Sequence, residues 1–264
     1  MSCKKQLIIS AVFAAACLTV TPASVAGHGP WKSIFNGKDL TGWTAKITGQ
    51  KLGEDTKNIY RVEGGMLRVS YDGYQAFDNT FGNLYYNKKL SHYRLKFEYR
   101  FIGEQLKGGP GWATHNSGVM VHSQAPETMV IDQFFPISVE SQLLGGLGNG
   151  ARPTGNICTP GTHVTINKKL VKDHCIKSTS KTYDGDQWVS FEIEVRGSDA
   201  IRHYVNGQQV FELTDPMYDF TDQMVIDAKI PKGKTDKISS GYITLQAESH
   251  NIDFRNIQLM DLKH

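Results

Sequence analysis

Two short acid and amide pairs carry the chemistry that this sequence offers. Glu140 and Gln142 are two residues apart in the stretch Val139 to Leu144. On a β-strand that spacing turns both side chains to one face, roughly 7 Å apart. Gln246 and Glu248 repeat the arrangement, and His122 follows Val119 on a third strand-like stretch. With Val139 and Leu143 facing a core, these polar groups line a groove. Carboxylates and amides bind sugar hydroxyls, and aromatic rings cover sugar C–H faces, so such a groove suits carbohydrate. Trp112, after Gly108-Gly109-Pro110-Gly111, reads equally as a sugar platform or a tucked loop anchor. Asn116 and Arg100 complete the candidate sugar-binding groups. Each residue taken alone also reads as an exposed strand residue on a solvated face.

Strands must position these groups. Val189, Phe191, Ile193 and Val195 alternate with Ser190, Glu192 and Glu194, and Leu95, Phe97, Tyr99 and Phe101 alternate with Lys96, Glu98 and Arg100. Such period-two patterns predict half-buried strands. Asn206-Gly207, between two apolar runs, predicts a tight hairpin, because its turn needs positive φ at both central residues. Further strands are expected at 60–62, 66–70, 82–86, 119–122, 137–144 and 252–262. No long helical apolar stripe occurs, so the expected fold is all-β, a sandwich of two antiparallel sheets. Gly145 to Gly161, rich in Gly, Pro and Asn, is expected as a surface loop beside the groove.

The first twenty-six residues read as an export leader: Lys4 and Lys5, an apolar run from Leu7 to Val20, and small residues up to Ala26. A lipidation site at Cys17 is the alternative. The apolar run is too short to predict a membrane span. The expectation is one domain over 27–264 in a periplasmic or secreted protein. Loss of Lys4 and Lys5 leaves 27 of the 29 basic residues against 26 acidic ones, without a basic block. Nucleic-acid partners are therefore not expected. The mature chain retains two cysteines, Cys158 and Cys175, which an oxidising compartment pairs. The bridge spans 17 residues and is worth about 3 kcal/mol in the chain-entropy model. A metal pair completed by His163 and His174 lacks the usual ligand spacing.

Phe35-Asn36-Gly37-Lys38-Asp39-Leu40-Thr41-Gly42-Trp43, Asn116-Ser117-Gly118-Val119, Val139-Glu140-Ser141-Gln142, Gly241-Tyr242-Ile243-Thr244-Leu245-Gln246 and Phe254-Arg255-Asn256-Ile257 occur in this order. The chain thereby resembles the 3-keto-disaccharide hydrolase domain family over nearly its whole mature length. The resemblance implies a concanavalin-like jelly roll and cleavage of glycosides oxidised to a ketone at C3. The sequence departs from the family where Ala247-Glu248-Ser249-His250 replaces a His-Gly pair.

Glucanases of that architecture carry E-x-D-x-x-E on one strand, and here the register reads Glu140, Gln142 and Gly145. Ordinary glycoside hydrolysis needs two carboxylates, and this strand keeps one. A 3-keto sugar relaxes the requirement: the ketone acidifies the C2 proton, so one base and one oxyanion stabiliser suffice for β-elimination. Glu140 and His122 are the candidate catalytic residues; Asn116, Gln142 or a divalent cation would stabilise the oxygen. The sequence has no metal-ligand motif that names a cation's ligands. A non-catalytic carbohydrate-binding module using the same groove is the alternative.

Overall fold

The protein is described here by a computed structural model covering residues 29–263. The export leader expected over 1–26 lies outside the described residues. Along the chain run β1 (Lys32–Ser33), β2 (Trp43–Ile47), β3 (Tyr60–Glu63), β4 (Met66–Val69), β5 (Gly82–Tyr86), β6 (His92–Phe101), β7 (Asn116–Ser123), β8 (Val139–Leu144) and β9 (Asn156–Cys158). They continue as β10 (Thr162–Ile166), β11 (Lys169–Val171), β12 (Cys175–Ile176), β13 (Val189–Arg196), β14 (Ala200–Val205), β15 (Gln208–Tyr218), the short helix α1 (Gln223–Asp227), β16 (Tyr242–Ala247) and β17 (Ile252–Asp261).

These strands form two antiparallel sheets, a ten-stranded one and a seven-stranded one ordered β12-β9-β8-β7-β16-β5-β2. The alternation read from β6 and β13 holds: Leu95, Phe97 and Tyr99 join Phe191, Ile193 and Val195 in the core. From the other sheet come Val119, Val121, Val139, Leu143 and Leu245. Asn206 and Gly207 both have positive φ and turn β14 into β15.

Because odd-numbered residues of β7 and β8 face this core, the even-numbered ones face outward onto the opposite side of the seven-stranded sheet. Ser141 marks the inward side, its hydroxyl 2.7 Å from Nε2 of His203 on the other sheet. The stretch 145–161 is not wholly loop. Asn156–Cys158 pairs with β8, because a short Asn-Ile-Cys run finds an open sheet edge that composition cannot reveal. Cys158 and Cys175 occupy directly paired positions of β9 and β12 and form the disulfide.

Candidate active site

The outward face of the seven-stranded sheet carries a cavity of about 490 Å³. Its lining includes Glu140 and Gln142 from β8, Asn116 from β7, Gln246 from β16 and Glu248 just beyond it, with Trp112 at the rim. Six of the sequence candidates therefore meet in one place. The Cys158–Cys175 bridge and His174 line the same cavity, and Arg152 enters it from the Gly-rich stretch.

Local sequence explains the placement. Gly118 stands next to Met120, the residue that β-pairing sets opposite Glu140. A Cβ on Gly118 would lie 2.5 Å from Glu140 Oε1, so glycine leaves the space into which the carboxylate folds. Gln142 is oriented by a relay. The Ser178 N–H donates to Asn156 Oδ1 (2.9 Å), and Asn156 Nδ2 donates to Gln142 Oε1 (3.0 Å). With its oxygen committed, Gln142 keeps its Nε2 donors for the cavity. Arg152 donates to the carbonyls of His115 (3.0 Å) and Gly145 (2.5 Å), which hold a guanidinium at the edge.

The acids are buried with little compensation. Glu140 is 7 % exposed and Glu248 2 %. Burial pushes the Glu140 carboxyl up to about 8. Burial, reinforced by the neighbouring Glu140 charge, raises Glu248 well above the usual range, and Arg152 only partly opposes this. Asn116 Oδ1, Gln246 Oε1 and Glu248 Oε1 are buried without a hydrogen-bond partner. Among the described residues no group of three or more His, Cys, Asp or Glu converges as a metal site. The unpartnered side-chain atoms of the cavity are all oxygens, so a cation there would be of the hard Ca²⁺ or Mg²⁺ type and not Zn²⁺.

Two candidates are not brought to the cavity. β7 carries an extra residue against β16 between Met120 and Ser123, and His122 has φ 53° there. This bulge swings the imidazole away to Gly197 O at 2.9 Å, where burial lowers it to about 4. The expectation that His122 shares the proton transfer is corrected accordingly. Arg100 lies on the outer face of the ten-stranded sheet, bonded to buried Asp253 (Nη2 to Oδ2, 3.1 Å) and stacked on Trp188. It is not at the groove, because alternation separates two faces of a strand without saying which sheet the strand joins. His163 pairs with Asp219 at 3.2 Å, away from the disulfide.

The two antiparallel sheets make a jelly-roll-like sandwich with a cavity on the outward face of one of them. Residues 30–260 match the 3-keto-α-glucoside-1,2-lyase-like domain, and the chain belongs to that family. Among solved structures it is similar to the laminarinase from Rhodothermus marinus, at 9 % identity and a TM-score of 0.50, covering 90 % of this chain and 100 % of that one. It is also similar to the putative glycosyl hydrolase from Parabacteroides distasonis ATCC 8503 (18 % identity, TM-score 0.49, 87 % and 98 % covered). The carbohydrate binding module CBM66 from Bacillus subtilis is a third, at 11 % identity, TM-score 0.43, with 82 % and 93 % covered. No curated protein matches the sequence. No helix among the described residues is long and apolar enough to cross a membrane.

Proposed function

We propose that the protein is an exported enzyme that cleaves 3-keto glycosides by 1,2-elimination, with Glu140 as base and Glu248 as acid. The observation that carries this reading is the burial of two carboxyls in one sugar-sized cavity with both proton affinities raised. A pure binding site gains nothing from two unneutralised buried acids, whereas a proton-transfer site needs groups poised near the working pH.

The Glu140 carboxylate takes the C2 proton, which the C3 ketone makes acidic. The electron pair left at C2 delocalises onto the C3 oxygen as an enolate. Gln142 Nε2 and the Arg152 guanidinium are the donors available to that oxygen. Collapse of the enolate forms the C1–C2 double bond and breaks the bond from C1 to the leaving oxygen. That oxygen takes the proton of Glu248, which burial and the neighbouring Glu140 charge keep protonated. The products are an alcohol and an unsaturated 3-keto sugar; water added across the new double bond turns elimination into net hydrolysis. A hard divalent cation would be held through the unpartnered Asn116 and Gln246 amide oxygens, leaving both carboxyls to proton transfer, and would polarise the ketone.

Incubation of the pure protein with matched native and 3-keto glycosides tests the reading. Alcohol release together with an unsaturated keto sugar, from the 3-keto compounds alone, is expected. Saturable binding without release from any of them would leave the groove a lectin site.

A further inference from the structure

The segment 129–135 bridges β7 and β8 and is pinned from below. Lys46 Nζ donates to Ile131 O (2.9 Å), Asn83 Nδ2 to Phe134 O (2.9 Å), and Gln133 Nε2 to Phe135 O (2.7 Å). A segment anchored by buried polar groups should be able to turn its apolar side chains inward. Instead Ile131 is 48 % and Phe134 39 % exposed, and Val130 also faces solvent. Among the described residues, eight large hydrophobic side chains are exposed, and five of them sit on this segment, on α1 or at Trp112. Apolar exposure is thus concentrated at one mouth of the cavity and not scattered over the surface.

Phe135 lines the catalytic cavity and also a second hollow of about 680 Å³, which Val130, Phe134 and Met224 share. The ring of Phe81 links the two: it lies 4.7 Å from Phe134 and stacks at 8° on Trp112, which is 56 % exposed. The amides near this hollow are already committed. Gln133 bonds Gln124, Phe135 and the Val130 N–H, and Gln223 bonds Asp227. Val130, Phe134, Phe135 and Met224 supply the apolar side of the hollow, with Asp132 and Asp227 as its acidic groups. A flat apolar ring fits, and Asp132 and Asp227 at the margin suit hydroxyls on that ring.

We propose that this hollow is an aglycone subsite, and that the substrate is an aryl glycoside whose phenol-type leaving group lies between Phe134 and Met224. This rests on the reading of the neighbouring cavity as the site of glycoside cleavage. The acids fix where the C1–O bond must lie, and the hollow that shares Phe135 with their cavity receives what is attached beyond it.

Calorimetric titration of Glu140→Gln protein, whose turnover should be strongly slowed, with phenyl and methyl 3-keto-glucosides tests the subsite directly. Phenyl is expected to bind about tenfold more tightly. Phe134→Ala added to that background should erase the advantage and leave methyl affinity unchanged, and Ile131→Ser should act in the same direction. Equal affinities, an advantage that survives both substitutions, or no binding of either glycoside would overturn the subsite. If native protein releases product from neither glycoside while the phenyl preference and its loss are seen, the cleavage reading fails and the subsite stands.

Discussion

Glu140 lies against Gly118: the space a β-carbon would take on Gly118 is 2.5 Å from Oε1 and 2.7 Å from Cγ of Glu140. The acid therefore reaches its place only because the adjacent strand has no side chain there. Gly118→Ala should displace the carboxylate while the strand ladder survives. The expected cost is about 10²-fold in kcat, the lower range for losing a positioned base, with a thermal midpoint within a few degrees of native. Full activity in this variant would mean that Glu140 is not held where the chemistry needs it.

The raised affinities set a pH profile. Glu140 must be ionised to accept a proton, and burial holds it protonated up to about 8. Turnover should rise with pH through that region. It should fall again at higher pH, where Glu248, held above the usual range by burial and by Glu140, loses the proton that the leaving group needs. Measurement of kcat/KM from pH 5 to 10 checks this; an optimum near pH 5 is incompatible with these roles.

The same burial has a stability consequence of definite sign. In the unfolded chain Glu140 loses its proton near its ordinary value of 4.5, but in the fold it keeps it to about 8. Between those values the folded state binds more protons, so stability falls as pH rises. Glu140→Gln removes that loss. In urea unfolding the variant should be more stable than native at pH 8, with the gap closing towards pH 4. A variant less stable than native at pH 8 would show that the carboxylate is compensated in the fold.

The disulfide holds an edge strand of only two residues, β12, as part of the cavity wall. Cys175→Ser should cost about 3 kcal/mol in the chain-entropy model. It should raise KM more than it lowers kcat, since it loosens a wall and touches no proton-transfer group. Thermal melts and steady-state kinetics on the purified variant read both effects.

Much of this was legible in the sequence because periodicity is local. The alternation in β6, β8 and β13 follows from side-chain types alone, and Asn206-Gly207 announces its own turn. The pairing of Glu140 with Gln142, and of Gln246 with Glu248, on outward faces follows from the same period. His122 was misplaced because a bulge is a relation between β7 and β16, and one strand's residues do not declare it. Arg152 was missed for a related reason. It sits among Gly, Asn and Pro, with no periodicity to aim it, and only the path of 145–155 past His115 brings its guanidinium to the acids. The relay from Ser178 through Asn156 to Gln142 joins three segments and leaves no spacing signature.

Removal of the C2 proton by Glu140 is read most directly from turnover of a 3-keto glycoside carrying deuterium at C2. Native protein should release product several-fold more slowly from the deuterated than from the ordinary substrate, and Glu140→Gln should lose about 10²- to 10⁴-fold in rate while still binding it. Equal rates for the two isotopologues at every pH, together with a Glu140→Gln protein as fast as native, would contradict the assignment.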